Sequence, residues 1–309
     1  MAVSLAKCAN LDSETSSLID IGQRAESRRR VFWSLYLLQQ MYGHQSVATN
    51  ILQDISRPHY VAMHADLPRT LSELPPAIPR EETVNQSGTT HGSKKRTGLW
   101  VYMIQLSTLW GEVRTYAKQW AQQNDRMPPP WSIDSGYAVI GAHLMDLETK
   151  LPTRHRFDLA RFPDQDKKDL HSNRGYWGPW LYIQFTYHTI HSMLNHPFLY
   201  SSRPQQSAQL AVPNTFWKTS SELAFIHSTW IVRLIDMVKS KEYRVSDPFL
   251  GHCTAIAATI HIYFCRAADR STRGAAQERL SGCLTFLEEL AQLWPSCRWL
   301  VGTRIQTDT

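Results

Sequence analysis

Apolar residues recur along this chain in steps of three and four, the spacing that places them on one face of an α-helix. The clearest run is Leu99, Tyr102, Leu106, Leu109, Val113, Tyr116 and Trp120, which predicts a helix over about 99–122. Val31, Phe32, Leu35, Leu38, Met41 and Tyr42 predict an earlier one over about 26–42, with these six lining its inner face. A third, over about 135–150, carries Ile140, Leu144 and Leu147 inward. A fourth, aromatic-dense helix is predicted over about 179–195, with Pro179 at the first helical position, where a missing N–H costs little, and Pro197 ending it. A fifth follows over about 221–238, burying Phe225, Ile226, Trp230, Leu234 and Ile235. Asp247 and Pro248 read as a cap and first-turn proline for a sixth helix reaching about Ala267. Ser271 opens a seventh that runs to about Leu293, before Pro295. No strand-like alternation competes with these patterns, so the expected fold is all-α: a multi-helix domain with long loops and no sheet.

Between the helices the pattern breaks. Residues 43–98 read largely as loop, because Pro58, Pro68, Pro75, Pro76 and Pro79 interrupt any periodicity, and the polar stretch 85–98 is expected to be mobile. A second loop is expected over 152–175. The organisation this implies is a flexible segment over 1–22, a helical domain over 23–300 with a mobile loop at about 70–98, and a tail over 301–309.

Composition supports a packed core. Of 309 residues 42% are hydrophobic, and 11 Trp, 12 Tyr and 10 Phe add large apolar area. The formal charge of +6 is scattered rather than gathered into the basic face that a DNA-binding module presents. Cys8, Cys253, Cys265, Cys283 and Cys297 form no CxxC pair and are odd in number, which points to buried thiols in a reducing compartment rather than disulfides or zinc. The stretch from Phe249 to Cys265 has no formal charge, but it falls short of the roughly 20 apolar residues of a membrane span and holds His252 and His261. It is expected to be a core helix, and no membrane partner is assigned.

Few residues offer chemistry. His188 and His191 lie three apart on a predicted helix with His196 beyond, a spacing that can bring two imidazoles to a metal, but no Cys, Asp or Glu nearby completes the set and packing is the expected role. Asp164, Asp166 and Asp169 resemble the magnesium-holding aspartates of helical prenyl-diphosphate enzymes. They enclose Lys167 and Lys168 and no second metal motif follows, so a solvated charged loop is expected. Arg154, His155 and Arg156 form a basic knot suited to an acidic partner. There is no G-x-S-x-G, P-loop or GxGxxG. No catalytic residue, metal ligand or cofactor site is assigned. Arg28, Arg29 and Arg30 crowd the first turn of the first helix, where cations oppose the helix dipole, and are a candidate partner contact, with a solvated basic edge as the ordinary reading. Lys94, Lys95 and Arg96 form a short basic run, weak as a nuclear-import signal and expected to be a solvated loop. Trp177, Trp180, Tyr187 and Trp230 are the candidate lining of an effector pocket, with core packing as the ordinary alternative.

The segment Glu26-Ser-Arg-Arg-Arg-Val-Phe-Trp-Ser-Leu-Tyr-Leu-Leu38 resembles the arginine-rich, Trp-containing helix of the fungal-specific transcription-factor domain, with Gln39 and Gln40 in place of the usual Asp-Arg. Gln53-Asp-Ile-Ser-Arg-Pro58 is similar to that family's next element, without its preceding Gly-Arg-Pro. Tyr187-His188 and Leu194-Asn-His-Pro-Phe198 resemble its "Tyr-His … Leu-His-Arg-Pro-Phe" helix end. The resemblance runs from about Gln23 to Trp299. It implies an all-helical regulatory domain of a zinc binuclear cluster regulator, nuclear, controlling a metabolic or biosynthetic gene set through partner or effector contacts. Its implied partners are the transcription machinery or a complete regulator, with homo- or hetero-dimerisation, and DNA is reached only indirectly. The family's six-cysteine zinc module, basic linker and dimerisation heptad do not occur in these 309 residues. Zinc is therefore expected only if an N-terminal cluster belongs to the natural protein. The expectation is a truncated regulator, a partial gene product, or a protein that works without touching DNA directly. The alternative is a helical metal-dependent enzyme or small-molecule-binding protein in which the aspartates or histidines serve a site.

Overall fold

The computed structural model describes residues 22–43, 99–122, 127–201 and 212–302, and among them it is all-α. Seven long helices carry the architecture: α1 (Gly22–Tyr42), α2 (Leu99–Ala121), α3 (Gly136–Lys150), α4 (Arg174–Leu194), α5 (Asn214–Ser240), α6 (Phe249–Phe264) and α7 (Arg270–Leu293). The expected loop over 44–98, with its basic run, the segment Gln53–Pro58, and nearly all of the terminal segments lie outside the described residues. A short helix, Arg298–Gly302, occupies the end of the described chain.

α4 is the hub. It packs against α2, α5 and α6, while α3 and α1 lie on α2, and α7 covers α6. Because neighbours surround it, α4 is apolar almost all round, as a helix without a solvent face must be. Its buried Thr186 and Thr189 donate to the carbonyls of Tyr182 and Phe185 at 2.7 Å. Burying these hydroxyls therefore leaves no orphan donor, which would cost about 1–3 kcal/mol each.

Several boundaries and faces move from their expected places. α4 starts at Arg174, so Pro179 sits inside the helix rather than at its first position. An internal proline costs about 3 kcal/mol. Tyr176, Trp177 and Trp180, all buried on this first part of α4, return more than that, at about 1.5–3 kcal/mol for each large apolar side chain. α5 likewise begins earlier, at Asn214. On α1 the inner face is Phe32, Trp33, Tyr36 and Leu37, while Val31 and Leu38 stand about half exposed, at 49% and 53%. Both stripes have helical spacing. The one with more aromatic area turns inward, locked by edge-to-face contacts of Trp33 with Phe32 and Tyr36, and by a 2.7 Å bond between the Tyr36 and Thr108 hydroxyls. Ile226 of α5, also expected inside, is exposed; small Ala224 and Ser228 occupy the buried stripe instead. The expected faces of α2 and α3 are the buried ones.

The expected loop over 152–175 is a chain of short turns and helices, including Phe157–Ala160 and Lys167–Ser172. Asp166 is the N-cap of the latter, its carboxylate accepting from the Asp169 N–H at 2.7 Å. Polar caps close other ends. Ser135 Oγ accepts from Ala138 N at 3.0 Å and donates to the Pro130 carbonyl at 2.9 Å. Asp247 takes the Phe249 N–H at 2.9 Å, and Asp269, rather than Ser271, caps α7 through Thr272 N. After α5 the chain turns in a Schellman motif: Tyr243 N–H bonds the Val238 carbonyl, Glu242 N–H that of Lys239, and Glu242 holds a left-handed φ of 48°. An ion pair from Lys167 to Glu242 accompanies the turn.

The apolar stretch from Phe249 is the core helix α6, and no helix among the described residues is long and apolar enough to cross a membrane. Cys253, Cys265 and Cys297 are free thiols, and burial pushes the Cys253 thiol well above its ordinary range.

Candidate functional site

The arginine-bearing α1 is fastened at its far end. Helix C-termini leave carbonyls without intrahelical donors. Here the half-buried Arg114 guanidinium of α2 supplies them: Nη1 donates to Gln40 O at 2.9 Å and Met41 O at 3.1 Å, and Nη2 to Gly43 O at 2.8 Å. A cation at this end also matches the helix dipole. Gly43 lets the chain close over the clamp, since a Cβ there would meet Gln39 O at 2.4 Å. Arg114→Met keeps most of the aliphatic stem but removes three donors. It is expected to raise amide exchange over 36–43 at least tenfold, a local loss of about 1–3 kcal/mol, measured by hydrogen–deuterium exchange. Unchanged protection there would show that the clamp does not hold α1. α1 begins at Gly22, so the arginines lie beyond its first turn rather than in it, with Arg28 partly buried and Arg30 exposed.

The second collection of polar groups lies where α3, α4 and α5 meet. His188 and His191 project from α4 toward His227 of α5. The Nδ1 atoms of His188 and His227 face each other at 2.9 Å, and the His191 and His227 rings stack at 4.0 Å with an 11° interplanar angle. His188 lies parallel to Trp230 at 5.5 Å, and Tyr187 meets His188, His191 and His227 edge-on. The Tyr187 hydroxyl donates to the Glu148 carboxylate of α3. One proton between two facing Nδ1 atoms makes a hydrogen bond; a second would set two N–H groups head to head. Burial holds His188 and His227 well below the usual imidazole range, helped by repulsion from His227 and His191 at His188 and from His191 at His227, and burial brings His191 down to about 4. His191 Nε2 has no hydrogen-bond partner. The three rings are neutral and packed, and among the described residues no group of three or more His, Cys, Asp and Glu side chains could hold a metal.

His196 stands apart from this trio. Its Nδ1 accepts the Phe198 N–H at 3.3 Å, so the neutral ring carries its proton on Nε2, which donates to Thr259 Oγ1 at 2.9 Å. Burial lowers its pKa to about 4. Beside it, Asn195 donates to His191 O at 2.9 Å and accepts from the Tyr137 hydroxyl at 2.9 Å. The Asn-His-Pro-Phe turn thus ties the end of α4 to α3 and α6.

Trp177 and Trp180 are 2% and 0% exposed, stacked or edge-on with Phe162, so they sit inside the core, while Tyr187 and Trp230 are half-buried beside the histidines. The four residues thus fall in two environments, the aromatic core and the histidine cluster, with Phe157 touching both Trp180 and Trp230. The basic knot is also divided. His155 turns inward, its Nε2 accepting from Arg154 Nε at 3.1 Å and its Nδ1 meeting the Tyr176 hydroxyl at 3.0 Å, with burial lowering its pKa to about 4. Arg114, Glu148 and His227 were not singled out from sequence. Their partners lie on other helices, and no spacing announces them.

Comparison with known proteins gives this geometry a context. The chain is 23% identical over 283 residues, 89% of its length, to the Zn(2)-C6 fungal-type transcription factor FTF1c of Fusarium oxysporum f. sp. lycopersici. The similarity to the FTF2 factor of the same organism is 24% over 211 residues, 68% of this chain. Its relatives are Zn(2)-C6 fungal-type transcription factors. An uncharacterized transcriptional regulatory protein of Schizosaccharomyces pombe, C530.11c, is 22% identical over 290 residues, 88% of this chain. The chain spans 29%, 18% and 34% of the lengths of these three relatives. No protein-family model and no solved structure matches it. Two of the segments that resemble the fungal-specific transcription-factor domain fall on the joints described above: the arginine-rich helix is α1 with its Arg114 clamp, and the Leu194–Phe198 turn is the tie between α4, α3 and α6.

Proposed function

We propose that this chain is a regulatory domain acting on transcription in the nucleus, through contacts with the transcription machinery, a complete regulator or an effector. The observation that carries this reading is similarity to Zn(2)-C6 factors over 89% of the chain, together with an all-helical fold. The role is regulatory rather than catalytic, and DNA is reached through a partner or through a cluster elsewhere in the natural protein, which would also be where zinc binds. Arg28, Arg29 and Arg30 are the proposed partner contact, on a helix held rigid by Arg114. A rigid helix loses little further entropy on docking, which favours recognition.

The test tethers the chain to a heterologous DNA-binding domain beside a reporter gene. Recruitment is expected to change reporter output several-fold in either direction, and changing Arg28, Arg29 and Arg30 together to alanine to reduce that change. A tethered, nuclear and folded chain that leaves the reporter at its basal level would overturn the proposal.

A further inference from the structure

A groove of about 440 Å³ opens between α1, α2 and α4, within the size range of small-molecule sites. Its walls are apolar, formed by Leu37, Leu38 and Met41 of α1, Trp100 and Met103 of α2, and Pro179 of α4. Leu38, expected in the core from its spacing, is 53% exposed at this groove. Gly178 also lines it, and a Cβ placed there meets nothing within 4 Å. The space beside α4 is thus open rather than a packing defect that neighbouring side chains fill.

The one charged side chain in this lining is the Asp247 carboxylate, with Ser34 and the Tyr182 phenol as its other polar groups. Its Oδ1 takes the Phe249 N–H, and no cation among the described residues pairs with it. Burial raises its pKa, opposed by that one hydrogen bond, and no basic side chain contributes. Asp247 is partly buried, so its carboxylate is only incompletely solvated, and a cation in the groove would supply the counter-charge it lacks among the described residues. Apolar walls with a single convergent charge select a ligand with an apolar body and one charge of opposite sign.

We propose that this groove binds a small apolar molecule carrying a protonated amine, with Asp247 as its counter-charge. This site is separate from the histidine–aromatic joint, and it stands whether or not the chain regulates transcription. The amine would pair with the carboxylate while the hydrocarbon lies against Met41, Met103 and Trp100. Because the groove bridges α1 to α2 and α4, an occupant would also brace the arginine-bearing helix.

The test is calorimetric titration of the whole chain with 4-phenylbutylamine, and with 4-phenylbutanol and 4-phenylbutyrate as neutral and anionic counterparts. The amine is expected to bind at least tenfold tighter than the alcohol, with the acid weakest. Asp247→Asn keeps a side-chain oxygen to cap Phe249 N–H, so the helix start survives, and it should bring the amine down to the level of the alcohol. Gly178→Leu, whose Cβ meets nothing within 4 Å and whose side chain extends into the groove, should abolish binding of both, with a melting temperature no lower than that of the unaltered chain showing that the fold persists. Equal binding of amine and acid, no saturable amine binding, or full amine affinity in Asp247→Asn would each overturn the assignment.

Discussion

Trp180→Ala is expected to destabilise the chain by about 3–5 kcal/mol, the range for emptying a buried aromatic site. Trp180 has no exposed surface; it stacks on Phe162 at 5.4 Å with a 9° interplanar angle, meets Trp177 edge-on, and lies nearly parallel to Phe157 at 6.1 Å. Its indole N–H donates to His155 O at 2.9 Å, so the substitution also leaves a buried carbonyl without its donor. The cavity would open at the start of the hub helix, where the segment over 152–172 leans on α4. Urea unfolding should show a lower midpoint at unchanged slope. A loss under about 1 kcal/mol would mean that the site relaxes freely and that the aromatic cluster is not the anchor of this region.

Stability should fall as pH drops from 6.5 toward 4. His155, His191 and His196 are held neutral to about pH 4 in the folded chain, against an ordinary imidazole pKa of 6.5. The facing pair His188 and His227 is depressed as well. Between these limits the unfolded chain binds protons that the folded one refuses, so stability is complete above pH 6.5 and declines below it. Each such proton is worth about 1.4 kcal/mol per pH unit, and two or three acting together would lower the melting temperature by about 5–15 °C per unit. The raised pKa values of Asp236 and Asp247 act in the opposite sense. Melting curves between pH 7 and 5.5 follow the chain across the ordinary imidazole pKa. His227→Phe, which keeps a ring against His191 and removes one side of the facing pair, should flatten the dependence. A melting temperature that is level from pH 7 to 5.5 would contradict the neutral, buried assignment.

Sequence and structure agree where one physical signal dominates. The periodicity of Leu99 to Trp120 and of Ile140, Leu144 and Leu147 left a single apolar stripe, and those stripes are buried. α1 offered two stripes of similar hydrophobicity, and the choice between them rests on what Tyr36 and Trp33 meet across the interface with α2, information that no local window holds. Pro179 suggested a helix start because proline is well tolerated there. The aromatic residues before it, Tyr176 and Trp177, outweighed that preference by being buried. The aspartates of 164–169 read as a solvated loop, whereas the spacing of Asp166 and Asp169 is that of an N-cap with an acidic first turn. The candidate site was legible in part: Tyr187 meets His188 and His191 directly and His188 meets Trp230, while His227, which only the packing of α4 against α5 brings alongside, completes the cluster. The Arg114 clamp joins two helices and the Asp247 groove three, and neither has a linear signature.

The central claim, that the chain acts on transcription, is tested most directly by depleting it rapidly in its native cells and sequencing nascent transcripts within minutes. The account predicts that a defined gene set changes output before secondary effects arise, and that re-expression of the intact chain restores it. Nascent transcription unchanged after complete depletion would contradict the account, whatever the chain binds in solution.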